Sequence, residues 1–190
     1  LEILGSLKPA FDPLTGQVTA GNSSQVTDGA VCLLMMSEEE AQKRGMAVLG
    51  YLKATASVGL DPSRMGLGPV YAVAKILKEH HLKLGDIDLI EINEAFAAQI
   101  VALEKAFQSP AFCKRELGLD QPLGVIDREK LNLNGGAVAL GHPIGASGAR
   151  IILTLLLEMK KRNKKLGLAT LCVGGGQGEA VLLEAPNGNI

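Results

Sequence analysis

The chain has few aromatic residues, almost no net charge, too few cysteines for a disulfide framework and no apolar run long enough to cross a bilayer. Aromatics make up 3% of its 190 residues against 47% hydrophobic residues overall, so a core of aliphatic side chains in one ordinary α/β domain is expected. Nineteen basic and twenty acidic residues leave a net charge of −1, which excludes an overall field that recruits nucleic acid or an acidic membrane. Cys32, Cys113 and Cys172 show no Cys-x-x-Cys and no metal-ligand spacing to histidine, arguing against zinc and disulfides and for a reducing, cytoplasmic location. The most apolar stretch, residues 151–157, is far too short for a membrane span, and no signal peptide is visible. The first residue is Leu1, not methionine, so an N-terminal segment with any targeting sequence is expected to lie outside the chain.

Glycine is what the chain has in quantity, 23 in all. In residues 132–151, five glycines and Pro143 surround His142. Glycine lets a backbone take positive φ and approach a ligand closely, while Pro143 confines His142 to extended φ/ψ, so the imidazole is presented from a loop. A phosphate-cradling loop would need a Gly-Lys-Ser/Thr, but no lysine lies between Lys130 and Lys160. A serine-hydrolase elbow would need Gly-x-Ser-x-Gly; Gly145-Ala146-Ser147-Gly148-Ala149 ends on alanine, and no histidine follows Ser147. Close packing around an incidental histidine and a chemical loop both remain open at this point.

Along the chain, residues 1–16 read as a connection punctuated by Pro9, Pro13 and Gly16. A polar, small-residue segment then feeds the apolar run 30–36, expected as a buried strand. Ser37 with Glu40 forms a capping-box signal for a short helix ended by Gly45. A strand and a turn are expected within 46–58, a loop over 61–68, and a helix from Pro69 whose apolar stripe is Val70, Val73, Ala74 and Leu77 and whose end is His80-His81. Residues 87–92 read as a strand, turned by Asn93-Glu94 into a helix through Phe107. Residues 108–128 read as a surface insertion without chemistry. A strand over 130–134, the glycine loop and a helix over 146–162 follow. That helix is apolar nearly all round and is expected inside a layered core, with a solvated basic end at Lys160-Lys161-Arg162 and Lys164-Lys165. Strands 168–173 and 179–184 are joined by a glycine turn short enough for an antiparallel hairpin.

In α/β sheets, ligands gather at the carboxyl ends of strands. Three expected strand ends carry polar residues: Asn93, His142 and Cys172. Singly, Asn93 reads first as a helix N-cap and Cys172 first as a small core residue. Their spellings go further. Asn93-Glu94-Ala95-Phe96-Ala97, Gly135-Gly136 through Gly141-His142-Pro143-Ile144-Gly145-Ala146-Ser147-Gly148, and Cys172-Val173-Gly174-Gly175-Gly176 resemble, in order and spacing, the motifs of the thiolase family. Thr19-Ala20-Gly21-Asn22-Ser23-Ser24 and Met65-Gly66-Leu67-Gly68-Pro69 look like thiolase segments too. The resemblance is to the C-terminal half of acetyl-CoA acetyltransferases and 3-ketoacyl-CoA thiolases, and residues 108–128 match least.

The resemblance implies a layered thiolase-like α/β fold with a mixed sheet covered by helices. Residues 1–16 would be a connecting segment, 17–44 the tail of the first half and 45–190 most of the second. Two similar halves would also explain the likeness of residues 28–34 to 178–184. It implies acyl-CoA C-acyl transfer through an S-acyl cysteine, with Cys172 as acid/base and His142 plus an Asn93-held water as the first oxyanion hole. The N–H of Gly174 would form half of a second hole. Ser24, Ala20 and Gly21 would line a pantetheine channel, and Met65 and Phe96 an acyl pocket. Nearby N–H dipoles and His142 are expected to favour the Cys172 thiolate. Coenzyme A thioesters are substrates in this reading, with no cofactor and no metal, and the full-length protein is expected to be a homo-oligomer. The nucleophilic cysteine is not in the chain, since Cys32 matches no nucleophile motif, so the chain alone is expected to be inactive and to self-associate. Against this stand a decarboxylating ketoacyl synthase, which would carry a histidine in place of Cys172, and a non-catalytic acyl-CoA-binding or dimerisation module.

Overall fold

The computed structural model describes residues 2–186. In chain order the helices are α1 (Glu2–Gly5), α2 (Glu38–Lys43), α3 (Gly68–Glu79), α4 (Ala97–Gln108), α5 (Pro110–Leu117), α6 (Ala137–Leu140) and α7 (Ile144–Arg162). The strands are β1 (Tyr51–Gly59), β2 (Leu89–Ile92), β3 (Leu166–Val173) and β4 (Gln177–Glu184). They form one mixed sheet in the order β1-β4-β3-β2. β4 runs antiparallel to both β1 and β3, while β2 and β3 are parallel and joined by a long helical crossover.

Side chains alternate between the two faces of the sheet, and each face carries a buried cluster, although β1 leaves Lys53, Thr55 and Ser57 exposed on one of them. Leu168, Ala180, Leu182, Ile90 and Ile92 pack on one face with α3 and α4, in a cluster that includes Ile76, Leu103 and Phe107. Leu89, Ala169 and Leu183 pack on the other with Ile151, Leu155, Leu156 and Met159 of α7. Burying each such large side chain contributes roughly 1.5–3 kcal/mol. Glu91 shares the α7 face and is buried there at 5% exposure, a carboxyl beneath a helix.

Local signals set several boundaries. The Ser37 side chain accepts from the Glu40 N–H at 3.2 Å, and α2 ends at Gly45 with φ +62°. Only that half of the expected capping box forms, because the Glu40 carboxylate pairs with Arg44. Pro69 sits in the first turn of α3. Ser109 caps α5 through the Phe112 N–H, and Pro110 stops α4 by confining Ser109 to extended backbone. The β3–β4 hairpin closes through Gly175 and Gly176, both at φ +88°.

Five expectations are corrected. Residues 30–36 belong to no strand, and Leu34 and Met35 are 73% and 68% exposed, because no described strand lies beside them. Residues 130–134 are not a strand either. They begin in a 3-10 turn, make one bridge, Ile90 with Leu131, and then turn at Asn132, whose φ is +47°. The Asn132 side chain takes over as partner to β2, accepting from the Ile92 N–H at 2.8 Å and donating to the Ile92 carbonyl at 2.9 Å. The α7 helix buries one side only; Leu157 is 50% exposed. Residues 108–128 are packed structure, with Cys113 and Ile126 buried and Glu116 of α5 bound to Arg64 and Tyr71. Residues 61–68 contain a 3-10 helix, Pro62–Leu67.

Candidate active site

The site is assembled where β2 ends. Asn93 continues the strand direction, its N–H donating to the Thr170 carbonyl of β3 at 3.0 Å, two residues before Cys172. It does not cap α4, whose N-cap position is Phe96, so its side chain is free of helix duty. Asn93 is 1% exposed, and its Nδ2 lies 3.3 Å from Nε2 of His142. Its Oδ1 is buried with no hydrogen-bond partner among the described residues, an unusual condition for a buried amide.

His142 is held from three directions. Its N–H donates to the Gln25 carbonyl at 3.2 Å, within a segment whose Val26 bridges His142 and whose Ser24 N–H donates to the Ala95 carbonyl at 2.9 Å. Residues 23–26 therefore tie the Asn93 loop to the His142 loop. The ring is held by Ser147 of α7, whose Oγ is 2.6 Å from Nδ1. Behind Asn93, Glu94 accepts from Asn132 Nδ2 at 2.7 Å and from the Val138 N–H at 3.2 Å.

Burial, then the positive charge of Arg150, lowers the His142 pKa, so the ring favours its neutral form. Burial pushes the Glu91 carboxyl up to about 7, with Arg150 opposing and Glu94 adding to the rise. The Cys172 thiol is also pushed up by burial, which corrects the expectation of a favoured thiolate. The Gln99 side chain of α4 and the backbone offset part of that rise. Gln99 is 5% exposed, and neither of its polar atoms has a hydrogen-bond partner among the described residues, so burial governs the state of the thiol.

Not every sequence candidate meets here. Gly174 is exposed on the hairpin turn, with positive φ at Gly175 and Gly176 instead. Phe96 bridges Ser23 and stacks edge-on against Phe11, centroids 5.8 Å apart, which places Ser24 and Phe96 together. Met65 lies in the 3-10 helix beside α4, where a Cβ on Gly66 would sit 3.5 Å from Gln99. Ala20 and Gly21 form an exposed turn, with Gly21 facing Leu4 and Leu7. Sequence reasoning missed Ser147, Gln99, Glu94 and the Gln25–Val26 tie. Only Ser147 had a usable signal, its place four residues after Pro143 in a helix's first turn. Among the described residues, no group of three His, Cys, Asp or Glu could hold a metal, and no helix is long and apolar enough to cross a membrane.

Residues 46–185 match the family model described as thiolase, C-terminal domain, and residues 1–39 the one for thiolase, N-terminal domain. The chain is 53% identical over 186 residues to the acetyl-CoA acetyltransferase of Escherichia coli, covering 98% of this chain and 43% of that protein. It is 50% identical over 186 residues to the 3-ketoacyl-CoA thiolase of Aliivibrio fischeri, covering 98% of this chain and 44% of that one. The crystal structure of the Bacillus anthracis acetyl-CoA acetyltransferase superposes with a TM-score of 0.82 at 46% identity, over 97% of this chain and 42% of the other. That of human mitochondrial 3-ketoacyl-CoA thiolase in complex with CoA gives 0.78 at 40% identity, over 98% and 43%. The chain thus spans less than half the length of the relatives it matches, while its own length is matched almost entirely. A family model matching residues 46–185, relatives 53% and 50% identical across nearly the whole chain, and a fold that superposes with a TM-score of 0.82 place the chain in the thiolase family.

Proposed function

We propose that this chain carries the proton-transfer half of an acyl-CoA C-acyltransferase site, which condenses acetyl-CoA or thiolyses a 3-ketoacyl-CoA. The observation that supports it most is the contact of buried Asn93 with half-buried His142, 3.3 Å apart, with a carbonyl oxygen on Asn93 that has no partner among the described residues and is suited to hold a water. The names of the relatives, acetyl-CoA acetyltransferase and 3-ketoacyl-CoA thiolase, supply the substrate class. The acyl group would ride on a cysteine outside these residues, because Cys32 is exposed in a segment without regular secondary structure and matches no nucleophile motif, and Cys113 is buried with its Sγ 3.5 Å from the Ala106 carbonyl.

In the condensing direction the Cys172 thiolate takes a proton from the acetyl-CoA methyl group. The enolate oxygen is stabilised by His142 and the Asn93 water, and the enolate carbon attacks the acyl-enzyme carbonyl, whose oxygen meets the Gly174 N–H. Collapse releases the carrier cysteine and the 3-ketoacyl-CoA. Cleavage runs these steps backwards, and there the neutral Cys172 thiol, the form that burial favours, is the one that protonates the departing enolate. Ser24, Ala20 and Gly21 would line the pantetheine path, and Met65 and Phe96 the acyl pocket. No resident cofactor takes part, the enzyme works as a homo-oligomer, and its location is cytoplasmic.

The test is thiolysis of acetoacetyl-CoA by the protein with both thiolase domains present. Removing an oxyanion donor costs on the order of 10²–10³ in turnover, and His142→Ala should lose that much. A His142→Ala variant with near-full turnover would defeat the reading.

A further inference from the structure

We propose that Ser147 is a positioning residue that holds His142 in the tautomer protonated at Nδ1, leaving Nε2 as the basic nitrogen turned toward Asn93. The inference deepens the reading of His142 given above and rests on it. Ser147 is 1% exposed in the first turn of α7, so water does not compete for its hydroxyl. Its Oγ stands 3.1 Å from the Pro143 carbonyl and 2.6 Å from His142 Nδ1. A hydroxyl has one proton and two lone pairs, whereas a carbonyl only accepts. With the hydroxyl proton on the Pro143 carbonyl, Oγ offers a lone pair to the ring, and Nδ1 must then carry the hydrogen.

The other side of the ring agrees. Asn93 presents Nδ2 to Nε2 at 3.3 Å, and an amide NH₂ only donates, so Nε2 accepts. Two contacts on opposite ring nitrogens thus specify one tautomer. Reversing it takes two concerted changes: the Ser147 hydroxyl must turn from Pro143 to Nδ1, and the Asn93 amide must turn its Oδ1 to Nε2. The lowered pKa of His142 keeps the ring neutral, the state in which a tautomer exists to be chosen.

The chemical consequence is specific. Nε2 takes the proton of the acyl-carrying thiol: the S–H bond breaks, an N–H bond forms, and the thiolate left behind attacks the acyl thioester, whose C–S bond to coenzyme A breaks as the CoA thiolate leaves and takes a proton from water. The imidazolium then presents that new N–H to the oxyanion, while Nδ1–H stays bonded to Ser147 throughout. One nitrogen serves as base and then as donor without any rearrangement of the ring.

The test uses the protein with both thiolase domains and Ser147→Ala, Ser147→Thr and His142→Asn variants. Solid-state ¹⁵N spectra of histidine-labelled protein read the tautomer directly, and His142→Asn identifies the signal of His142. The unmodified protein should show a protonated Nδ1 and a pyridine-type Nε2. Ser147→Ala should lower kcat about 10²-fold, the low end of general-base effects, with little change in KM and a shift of the ring signals, and Ser147→Thr should restore most of both. A protonated Nε2 in the unmodified neutral ring overturns the inference whether or not any variant folds. So does a Ser147→Ala variant with unchanged kcat. If His142→Asn itself keeps full turnover, the reading of His142 fails, which is a separate result.

Discussion

The Glu94 carboxylate occupies the space in which a Cβ on Gly136 would lie, so the loop that carries Asn93 and the loop that leads to His142 close on each other through a missing side chain. Glu94 is fixed there by Asn132 Nδ2 and the Val138 N–H. It cannot swing aside without losing a charge-assisted bond at each oxygen.

Gly136→Ala should therefore displace Glu94 and, with it, Asn93. Overpacking of this kind costs about 1–3 kcal/mol, read as a fall in the denaturation midpoint, and turnover should fall along with it. Unchanged stability and unchanged turnover together would show that the two loops are not coupled through this contact.

Cys172 should behave as a thiol that ionises late. Its rate of alkylation, followed by mass spectrometry of the modified peptide, should keep rising with pH past the range of a free thiol, about 8.5. Replacing Gln99 with leucine removes the side chain that offsets burial and should move the inflection further up. A plateau near neutral pH would mean that the thiolate is stabilised after all.

Glu91 makes stability depend on pH. Its folded pKa is raised to about 7 from an ordinary value of 4.5, so the folded state holds a proton that the unfolded state gives up. Below pH 4.5 both states are protonated and the group contributes nothing. Stability then falls as pH rises toward 7, and above that the full cost of about 3 kcal/mol persists. Glu91→Gln, which imitates the protonated carboxyl, should raise the melting temperature at pH 8 and not at pH 4.5. A gain of equal size at both values would point to packing instead of charge.

Much of the fold was legible because its signals are local. Ser37, Pro69, Gly45 and the glycine turn between β3 and β4 each act within a few residues, and α2, α3 and the hairpin lie where those residues put them. The strand expected over 130–134 failed for a reason no local pattern carries: Asn132 adopts positive φ and substitutes its own amide for a backbone partner of β2. The strand expected over 30–36 has an apolar spelling, but a strand exists only beside another strand.

The candidate site divides in the same way. Asn93, His142 and Cys172 could be picked out by residue type and motif, and the structure brings the first two into contact. Glu94 and Gln99 could not, since an ordinary glutamate or glutamine acquires meaning only from what it faces, and Ser147 offered no more than its place in the first turn of a helix. Gly68 and Gly178 show the same limit in the backbone: each is required because the start of α3 crosses β4 too closely for a Cβ on either.

By itself, then, the sequence determined the α/β class, the short-range elements and the motifs of the thiolase family, all properties written in neighbouring residues. Only the tertiary structure decided which ring nitrogen of His142 faces Asn93, which hydroxyl backs it, and that Cys172 is held toward its protonated form. Those depend on distances between segments far apart in the chain and on how much water their packing removes, and neither quantity is encoded at any single position.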